Sequence, residues 1–539
     1  GTSALLTMRG WMFLGQFAEL RKRLLGSCDL RLVGDFDRGA FDEVPNEVLA
    51  VSVPIFRRAS RAGASSVATQ PTPLDDKSYD RHRTNRKRAA VLAQLGRYEF
   101  DPRGFEVIEG EPLVYWWSAE FLAKYAAAPK FGETSPAKAG AVSGNHTRFL
   151  RKGWELPPNA CVNLEPSEPL RFSVRGWVRY VKGARGMCWM DPCDEVCNWR
   201  RGGLEIKVLA EHLYGSYTRQ IRNEGLFFRP GIAVAAIGAS FSARLYRWRA
   251  IFDNMAASVF PDDTASALCS MNSATSRSIM QSLNPGLHFE ISDVNRLPVL
   301  PCPSAAEIVD TLARAFREHE AQRECSAEVE RPGRSAWAFA QDWAQQAVDR
   351  PEGAALPLWE PNYDEASAES VVSFAIGVRL GRFERHGEGV LLEAPGWLGG
   401  RHTLFVSVDG NDDLENPYAY VSLHPAWREH GTAVAGGDDL RTYLRKSFFD
   451  YHRRLYENRP IYLPLSSSKR SFVAFVSIHR WGNETLNVLL ADHLVPTRRR
   501  LEGELDDLRT AKASGNNKAR AEKRFTEVQK LLEELDDFI

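Results

Sequence analysis

Over the first 58 residues the apolar positions switch repeatedly between strand-like and helix-like spacing. Ser3 to Met8 is apolar and strand-like. Gly15 to Leu25 sets Phe17, Leu20 and Leu24 on one helical face, with Glu19, Arg21 and Lys22 on the other. Asp29 to Phe36 and Val48 to Phe56, rich in Leu and Val, predict two further strands. Asp37 to Glu47 between them carries Gly39 and Pro45, the breakers of a loop. A β-α-β-loop-β run fits the last third of a doubly wound sheet. So few strands with one helix bury too little apolar surface to stand alone.

Beyond this point the pattern loosens. Residues 59–74 are rich in Ala, Ser, Thr and Pro and read as a linker or surface loop, followed by the basic run Asp80 to Arg88. From Leu113 to about Pro301 the chain is aromatic and irregular, with Trp116, Trp117, Trp154, Trp177, Trp189, Trp199 and Trp248 among short apolar segments. Mixed α/β or mostly β structure is expected there. Residues 305–348 read as two helices, one carrying Ile308, Leu312, Ala315 and Phe316, the other Trp337 and Trp343. A further unit begins near Leu356, with helical spacing over Ala366 to Phe383 and Leu440 to Leu455 and a strand over Phe472 to Ile478. Pro496 to Phe538 is a charged helical hairpin turning at Ser514-Gly-Asn-Asn517. Phe525, Val528, Leu532 and Leu535 have coiled-coil spacing. Only about two heptads per arm are apolar, which favours packing on its own domain over a partner-binding coiled coil.

Composition narrows the class. At 539 residues, 44% hydrophobic and 26% charged, the chain is a multi-unit globular protein and not a disordered one. No apolar run reaches the roughly 18 residues of a membrane span, and no signal-like segment opens the chain. A cytoplasmic protein without a membrane partner is expected. Residue 1 is Gly, and the sequence opens directly into a structured segment, so a missing beginning is expected too. Lys plus Arg (69) balance Asp plus Glu (69), so nucleic-acid binding has to rest on local clusters. Eight cysteines fit a reducing compartment.

Three local clusters matter. Arg81, Arg83, Arg86, Lys87 and Arg88 either sit on DNA phosphates or form a solvated surface. Arg148, Arg151 and Lys152 form a second group, and Arg179, Lys182 and Arg185 a third, interleaved with Trp177 and Tyr180. Such contacts would position a duplex, whereas base-reading residues are not marked by the sequence. Cys188, Cys193 and Cys197 are spaced loosely for zinc, with only distant Cys161 and His212 as further ligands, so buried thiols and no metal are expected. No nucleophile elbow, P-loop, paired-histidine metal motif or nuclease signature occurs.

Several segments together resemble the large adenine-specific methyltransferases of the bacterial BREX and DISARM phage-defence systems, relatives of fused restriction-modification methylases. They are Leu6-Thr-Met-Arg-Gly-Trp-Met-Phe-Leu14 with Phe17-Ala-Glu-Leu-Arg21, then Gly34-Asp-Phe-Asp-Arg-Gly-Ala-Phe41 with Glu43-Val-Pro-Asn-Glu-Val48. Ser143-Gly-Asn-His-Thr-Arg-Phe-Leu-Arg151 is similar to the family's Thr-Gly-Asp-Asn motif, with Ser143 in place of Thr. Gly202 to Lys207, Phe228 to Ile232, Leu283 to Phe289 and Asp293 to Val299 continue the resemblance, and Ala375 to Phe383 and Asn458 to Tyr462 match the carboxy-terminal unit.

The resemblance implies an α/β plus α+β multidomain fold. Residues 1–58 would be the incomplete end of a Rossmann-like methyltransferase sheet, 59–112 a linker with a basic insertion, and 113–303 a mixed target-recognition domain. A helical connector (304–355), a carboxy-terminal α+β domain (356–495) and a helical hairpin (496–539) would follow. It implies S-adenosylmethionine as cofactor, double-stranded DNA and other defence-system proteins as partners, and extrusion of the target adenine from the duplex. Phe41 would be the aromatic that stacks on that adenine; the alternative is an apolar anchor at a strand end. Asn145, Arg148, Arg151 and Lys152 would lie at the entry to the recognition region.

The family's catalytic Asn-Pro-Pro-Tyr loop and Gly-rich cofactor turn are not visible. Leu156-Pro-Pro-Asn159, Asn416-Pro-Tyr418 and Gly387-Glu-Gly389 each lack part of the pattern. No cofactor-binding residue is therefore expected in this chain, and the cofactor would be held by an amino-terminal half. A non-catalytic specificity module serving a separate catalytic subunit is the alternative, and a restriction enzyme that also cleaves is a third, weaker reading. A cut inside the catalytic sheet would leave an unpaired edge and an uncovered apolar face at the start of the chain.

Overall fold

The computed structural model describes residues 1–41, 49–58, 65–70, 83–165, 167–168, 176–183, 186–238, 240–387, 389–393, 402–513 and 519–539. The Glu43 to Val48 segment, Arg81, Arg185 and the 514–517 turn lie outside the described residues.

The first sheet joins β1 (Thr2–Ala4), β2 (Thr7–Met8), β3 (Asp29–Arg38), β4 (Ala50–Arg57), β5 (Ser66–Thr69) and β6 (Arg97–Phe100). Its order is β1-β4-β3-β5-β6, with β2 also on β4. β3 pairs with β5 in parallel, while β1–β4, β2–β4, β3–β4 and β5–β6 are antiparallel. The pairing is thus mixed where a doubly wound sheet would be parallel. The connection 39–49 is too short for the helical crossover that a parallel pair needs, so β4 returns beside β3 head to tail. Residues 59–112, which read as a linker, supply β5, β6 and the helix α1 (Arg83–Leu92) between them.

The helix before β3, Ala18–Ser27, departs from its expected polar face. Arg21 is fully buried and Leu20 is 45% exposed. The Arg21 guanidinium can be buried because backbone carbonyls surround it: Nη1 donates to Trp11 (2.7 Å) and Leu14 (2.9 Å), and Nε and Nη2 donate to Gly110 (2.9 and 2.7 Å). Burial still lowers its pKa to about 10. The apolar face expected to be uncovered at the start of the chain is covered over β3, β4 and β5, while β1 remains an edge strand with exposed apolar side chains beside it. Leu30, Val33, Phe56 and Ala68 are buried in one core with Phe105, Leu113 and Tyr115. Leu5, Leu6 and Met8, along the β1–β2 edge, are exposed.

Between Leu150 and Val259 lie two sheets. One contains β7 (Leu150–Lys152), β8 (Cys161–Val162), β9 (Trp177–Val181), β11 (Glu195–Asn198) and β14 (Ala250–Phe252), and the other β10 (Trp189–Asp191), β12 (Ile232–Val234), β13 (Ala243–Tyr246) and β15 (Ser258–Val259). Phe149, Tyr180, Trp199, Phe227 and Phe252 fill the core of the first. Arg244 and Asp191 form a buried ion pair within the second. The helices α2 (Thr264–Asn272), α3 (Ala305–Gln322) and α4 (Trp337–Val348) extend the large core that also holds the first sheet.

The carboxy-terminal part is an antiparallel sheet, β16 (Thr403–Ser407), β18 (Phe472–Ser477) and β17 (Tyr462–Ser466), beside the helix Ala368–Arg379. The arms Val495–Ala513 and Ala519–Phe538 pack Leu501, Leu505, Val528, Leu532 and Leu535 against Phe405 and Phe472 of that sheet. Polar contacts tie this part to the region before it. Lys152 Nζ lies between Glu195 (3.2 Å) and Glu457 (3.0 Å). Within the preceding region, Arg323 reaches Asp194 (2.6 Å) and Glu320 (2.7 Å). Trp154 donates to the Arg459 carbonyl at 3.2 Å and meets Tyr456 edge-on. Among the described residues no helix is long and apolar enough to cross a membrane.

Glu324, next to Arg323, is buried and accepts hydrogen bonds from Tyr456 (2.9 Å) and Ser373 (3.2 Å). Burial pushes its pKa up to about 7, against the smaller opposing pull of these bonds and of Arg382. A carboxyl raised in the folded state contributes stability that is fully present below its unfolded pKa and is lost as pH rises through about 7. Glu324→Gln keeps an acceptor oxygen and removes this titration. Urea unfolding is expected to show the variant gaining about 2 kcal/mol on wild type between roughly pH 5.5 and roughly pH 8.5. Parallel pH curves for the two proteins would exclude the assignment.

Candidate nucleic-acid interface

β7, β11 and β9 lie side by side, with Arg151 opposite Val196 and Asn198 opposite Trp177. This register brings the Arg151 guanidinium 6.0 Å over the half-buried Trp177 ring, where Nη1 also donates to the carbonyls of Thr147 (2.5 Å) and Leu150 (2.7 Å). The chain leaves β11 at Asn198, whose side-chain oxygen accepts the Arg200 N–H at 3.3 Å. Arg201, Gly202 and Gly203 then take left-handed backbone (φ 53°, 68° and 73°) before the helix that continues to Tyr214. Gly203 is needed there, because a Cβ would stand 2.5 Å from the Trp199 ring. The turn leaves Arg200 and Arg201 exposed.

A short helix, His146–Phe149, lies alongside. Asn145 caps it, its side-chain oxygen accepting from the Arg148 N–H (3.1 Å) and the Thr147 hydroxyl (2.9 Å). Arg148 Nε donates to Glu205 at 2.8 Å and so joins the short helix to the long one. Behind Asn145 the Gln220 carbonyl accepts from the Val142 N–H at 2.8 Å, and exposed Arg219 and Arg222 flank that contact. The carboxylates of this face are already engaged: Glu205 by Arg148, Glu224 by Lys207 (2.5 Å) and Glu211 by the Tyr217 N–H (2.8 Å). Among the described residues no carboxylate meets Arg151, Arg200, Arg201, Arg219 or Arg222. A face with spare guanidinium charge and a half-exposed indole suits an anionic, stackable ligand.

The other cations predicted from sequence lie elsewhere in the fold. Lys152 is buried between its two glutamates. Arg179 is buried too, with Nε on Asn163 (2.7 Å) and Nη1 on the Cys193 carbonyl (2.9 Å). Lys182 is half-buried, and its carbonyl accepts from Arg244. In α1, Lys87 is buried and donates to the Phe36 carbonyl at 2.6 Å, whereas Arg86 and Arg88 are exposed. Arg83 starts that helix, with its side chain outside the described residues. Arg200, Arg201, Arg219 and Arg222 were not singled out, although Arg200-Arg-Gly-Gly203 ahead of an apolar helical run is a legible turn signal.

Phe41 belongs to a second locality. β3 bulges between Asp35 and Asp37, and Asp37 has φ 49°. Asp35 is buried and accepts from Arg9 Nε (2.7 Å) and Nη2 (2.9 Å) and from the Tyr115 hydroxyl (2.8 Å). Burial and the Asp35 charge push the Tyr115 pKa far up, so it remains a donor. With Lys87 on Phe36, these bonds fix the stem from which half-buried Phe41 leads into residues 42–48. Among the described residues no His, Cys, Asp or Glu cluster could hold a metal ion. Burial pushes the thiols of Cys188 and Cys197 up to about 11 and about 12, and that of Cys193 well up.

No family model matches the chain. Over its whole length it is 24% identical, across 622 aligned positions, to the adenine-specific methyltransferase PglX of Lacticaseibacillus casei (strain Zhang). It is 20% identical, across 633 positions, to the adenine-specific methyltransferase BrxX of Escherichia coli O9:H4 (strain HS). The chain is a homologue of these methyltransferases. It spans about half the length of each, 51% and 50%. Among solved structures, the DNA-bound Type ISP restriction-modification enzyme LlaBIII shares 8% identity at a TM-score of 0.33, over 58% of this chain and 25% of that one. The type IIG restriction endonuclease BpuSI shares 13% at 0.25, over 59% and 42%. Both likenesses are too slight to build on.

Adenine-specific methyltransferase homologues raise the question of S-adenosylmethionine. A cleft of about 390 Å³ is lined by Cys188, Trp189, Phe241, Arg277, Gln341 and Asp342, together with Gly186 and Gly238. Neither glycine leads from a strand into a helix, the arrangement in which a backbone closely approaches such a cofactor. These residues do not fit the group.

The division between internal and surface cations can be measured. Lys152→Ala removes the ammonium that Glu195 and Glu457 share, and Arg179→Ala leaves the buried Cys193 carbonyl without its donor; each is expected to cost about 1–3 kcal/mol in urea unfolding. Arg200→Ala and Arg219→Ala are expected to stay within about 0.5 kcal/mol of wild type. Equal losses in both sets would contradict the division.

Proposed function

We propose that this chain supplies the DNA-recognition part of a site-specific, S-adenosylmethionine-dependent DNA adenine-N6 methyltransferase that marks self DNA in phage defence. The observation that carries the reading is the match of the entire chain to two adenine-specific methyltransferases. Arg151 over Trp177, Arg200 beside Gly176 and the exposed Arg201, Arg219 and Arg222 support it, because cations without carboxylates are what phosphates neutralise. Arg148 and Asn145 shape this face through Glu205 and the helix cap. Phe41, on its fixed stem, is the residue we assign to stacking on the extruded adenine, a contact worth about 1–3 kcal/mol. We assign cofactor binding and methyl transfer to residues outside this chain. Arg86 and Arg88 are candidates for further phosphate contacts.

Binding of a DNA duplex at several salt concentrations tests the surface. Arg200→Ala and Arg201→Ala are each expected to lower the slope of log affinity against log salt by about 1. Lys87→Met, whose cation is internal, is expected to leave the slope unchanged. Unchanged slopes in both arginine variants would remove this face from the interface. Sequencing of host DNA with and without the gene tests the activity: loss of adenine methylation at one motif is expected, and no loss would overturn the methyltransferase reading.

A further inference from the structure

Two cysteines outside these sites stand together. Cys269 lies in α2, wholly buried, and Cys302 lies just before α3, partly exposed. The segment that carries Cys302 is pinned along α2. The Leu300 N–H donates to the Ser270 hydroxyl at 2.9 Å, and that hydroxyl faces the Pro298 carbonyl at 3.4 Å. The Ala305 N–H closes onto the Cys302 carbonyl at 3.2 Å and starts the helix. Arg350, anchored on the Pro303 carbonyl at 2.8 Å, brings positive charge beside the thiol. Cys302 packs on the core that contains Cys269, its thiol donates to the Pro303 carbonyl at 3.8 Å, and each thiol acts on the other's proton affinity.

We propose that Cys269 and Cys302 form a redox-sensitive dithiol that peroxide converts to a disulfide, linking α2 to the start of α3. Cys302 is the attacking thiol, since it is the exposed member; the Cys269 thiol and Arg350 together lower its pKa to about 7. The Cys302 thiol and burial push Cys269 far up, which leaves it to the second step. The Cys302 thiolate attacks one oxygen of hydrogen peroxide. The O–O bond breaks, Cys302 becomes a sulfenic acid, and the departing hydroxide takes up a proton as water. The Cys269 sulfur then attacks the Cys302 sulfur. The S–S bond forms, the S–O bond breaks, and the leaving hydroxide takes the Cys269 proton as a second water. Two thiols lose two electrons and the peroxide gains them.

The link would bind the connector helix to the recognition core at one end, while Glu320 and Arg323 join its other end to Asp194. The full chain is treated with hydrogen peroxide and digested without reductant for mass spectrometry. A peptide joining Cys269 to Cys302 is expected, lighter by two hydrogens than its reduced parts and cleaved by dithiothreitol. At neutral pH, iodoacetamide is expected to modify Cys302 about tenfold faster than Cys188. Cys302→Ser is expected to abolish the link. Cys269→Ser is expected to stop at a Cys302 sulfenic acid that dimedone traps. Because Cys269 is a core residue, thermal unfolding of oxidised against reduced wild type provides a measurement that needs no variant, with a higher midpoint expected after oxidation. Stable sulfinic or sulfonic acid at Cys302 without the cross-linked peptide, or an unchanged midpoint, would overturn the proposal.

Discussion

Taking a guanidinium or ammonium group out of water costs several kcal/mol unless its N–H groups find acceptors. Much of this structure is arranged around that requirement. Arg21 is enclosed by the carbonyls of Trp11, Leu14 and Gly110, which draws the first strands, their helix and the turn at 110 into one body. Arg9 and Tyr115 do the same for Asp35, Arg244 for Asp191, and Arg323 for Asp194 and Glu320. The contacts of Arg21 with Gly110, of Asp35 with Arg9 and Tyr115, of Arg244 with Asp191 and of Arg323 with Asp194 join segments distant in sequence. The apolar cores supply the driving force, but these charged contacts fix which surfaces face one another.

The same constraint decides which cations can serve a ligand. A lysine or arginine already satisfied inside the protein has no spare donors and no access to a phosphate. Lys87, Lys152 and Arg179 fall in that class, although each lies in a basic stretch of sequence. Arg200 and Arg201 attract less notice in the sequence, yet the turn after β11 holds them in water beside Arg151 and Trp177. Proximity to other basic residues along the chain therefore says little about binding; burial and partners say more.

What could be read from the sequence follows the range of the interactions. Periodicity located the helix over Ala18–Ser27, β3, β4, the paired helices after 304 and the terminal hairpin, because local spacing alone defines them. It placed Arg21 on the wrong face, since the carbonyls that accept it come from residues 11, 14 and 110. It missed β5 and β6, four residues each, which have too few positions to show alternation and are strands only by pairing with β3 and each other. Between 113 and 301 the strands are equally short, and non-local register makes the sheets.

The left-handed turn at Arg201-Gly202-Gly203 has a consequence for how recognition can change. Its shape is set by glycines and by the Trp199 ring, and among the described residues the Arg200 and Arg201 side chains make no hydrogen bond or ion pair with the side chains that hold it. Substitutions at 200 and 201 can therefore alter the chemistry offered to a ligand while the turn beneath them stays as it is. Scaffold and ligand-facing charge are written in different residues, so the charge that this surface offers can change without the fold being rebuilt.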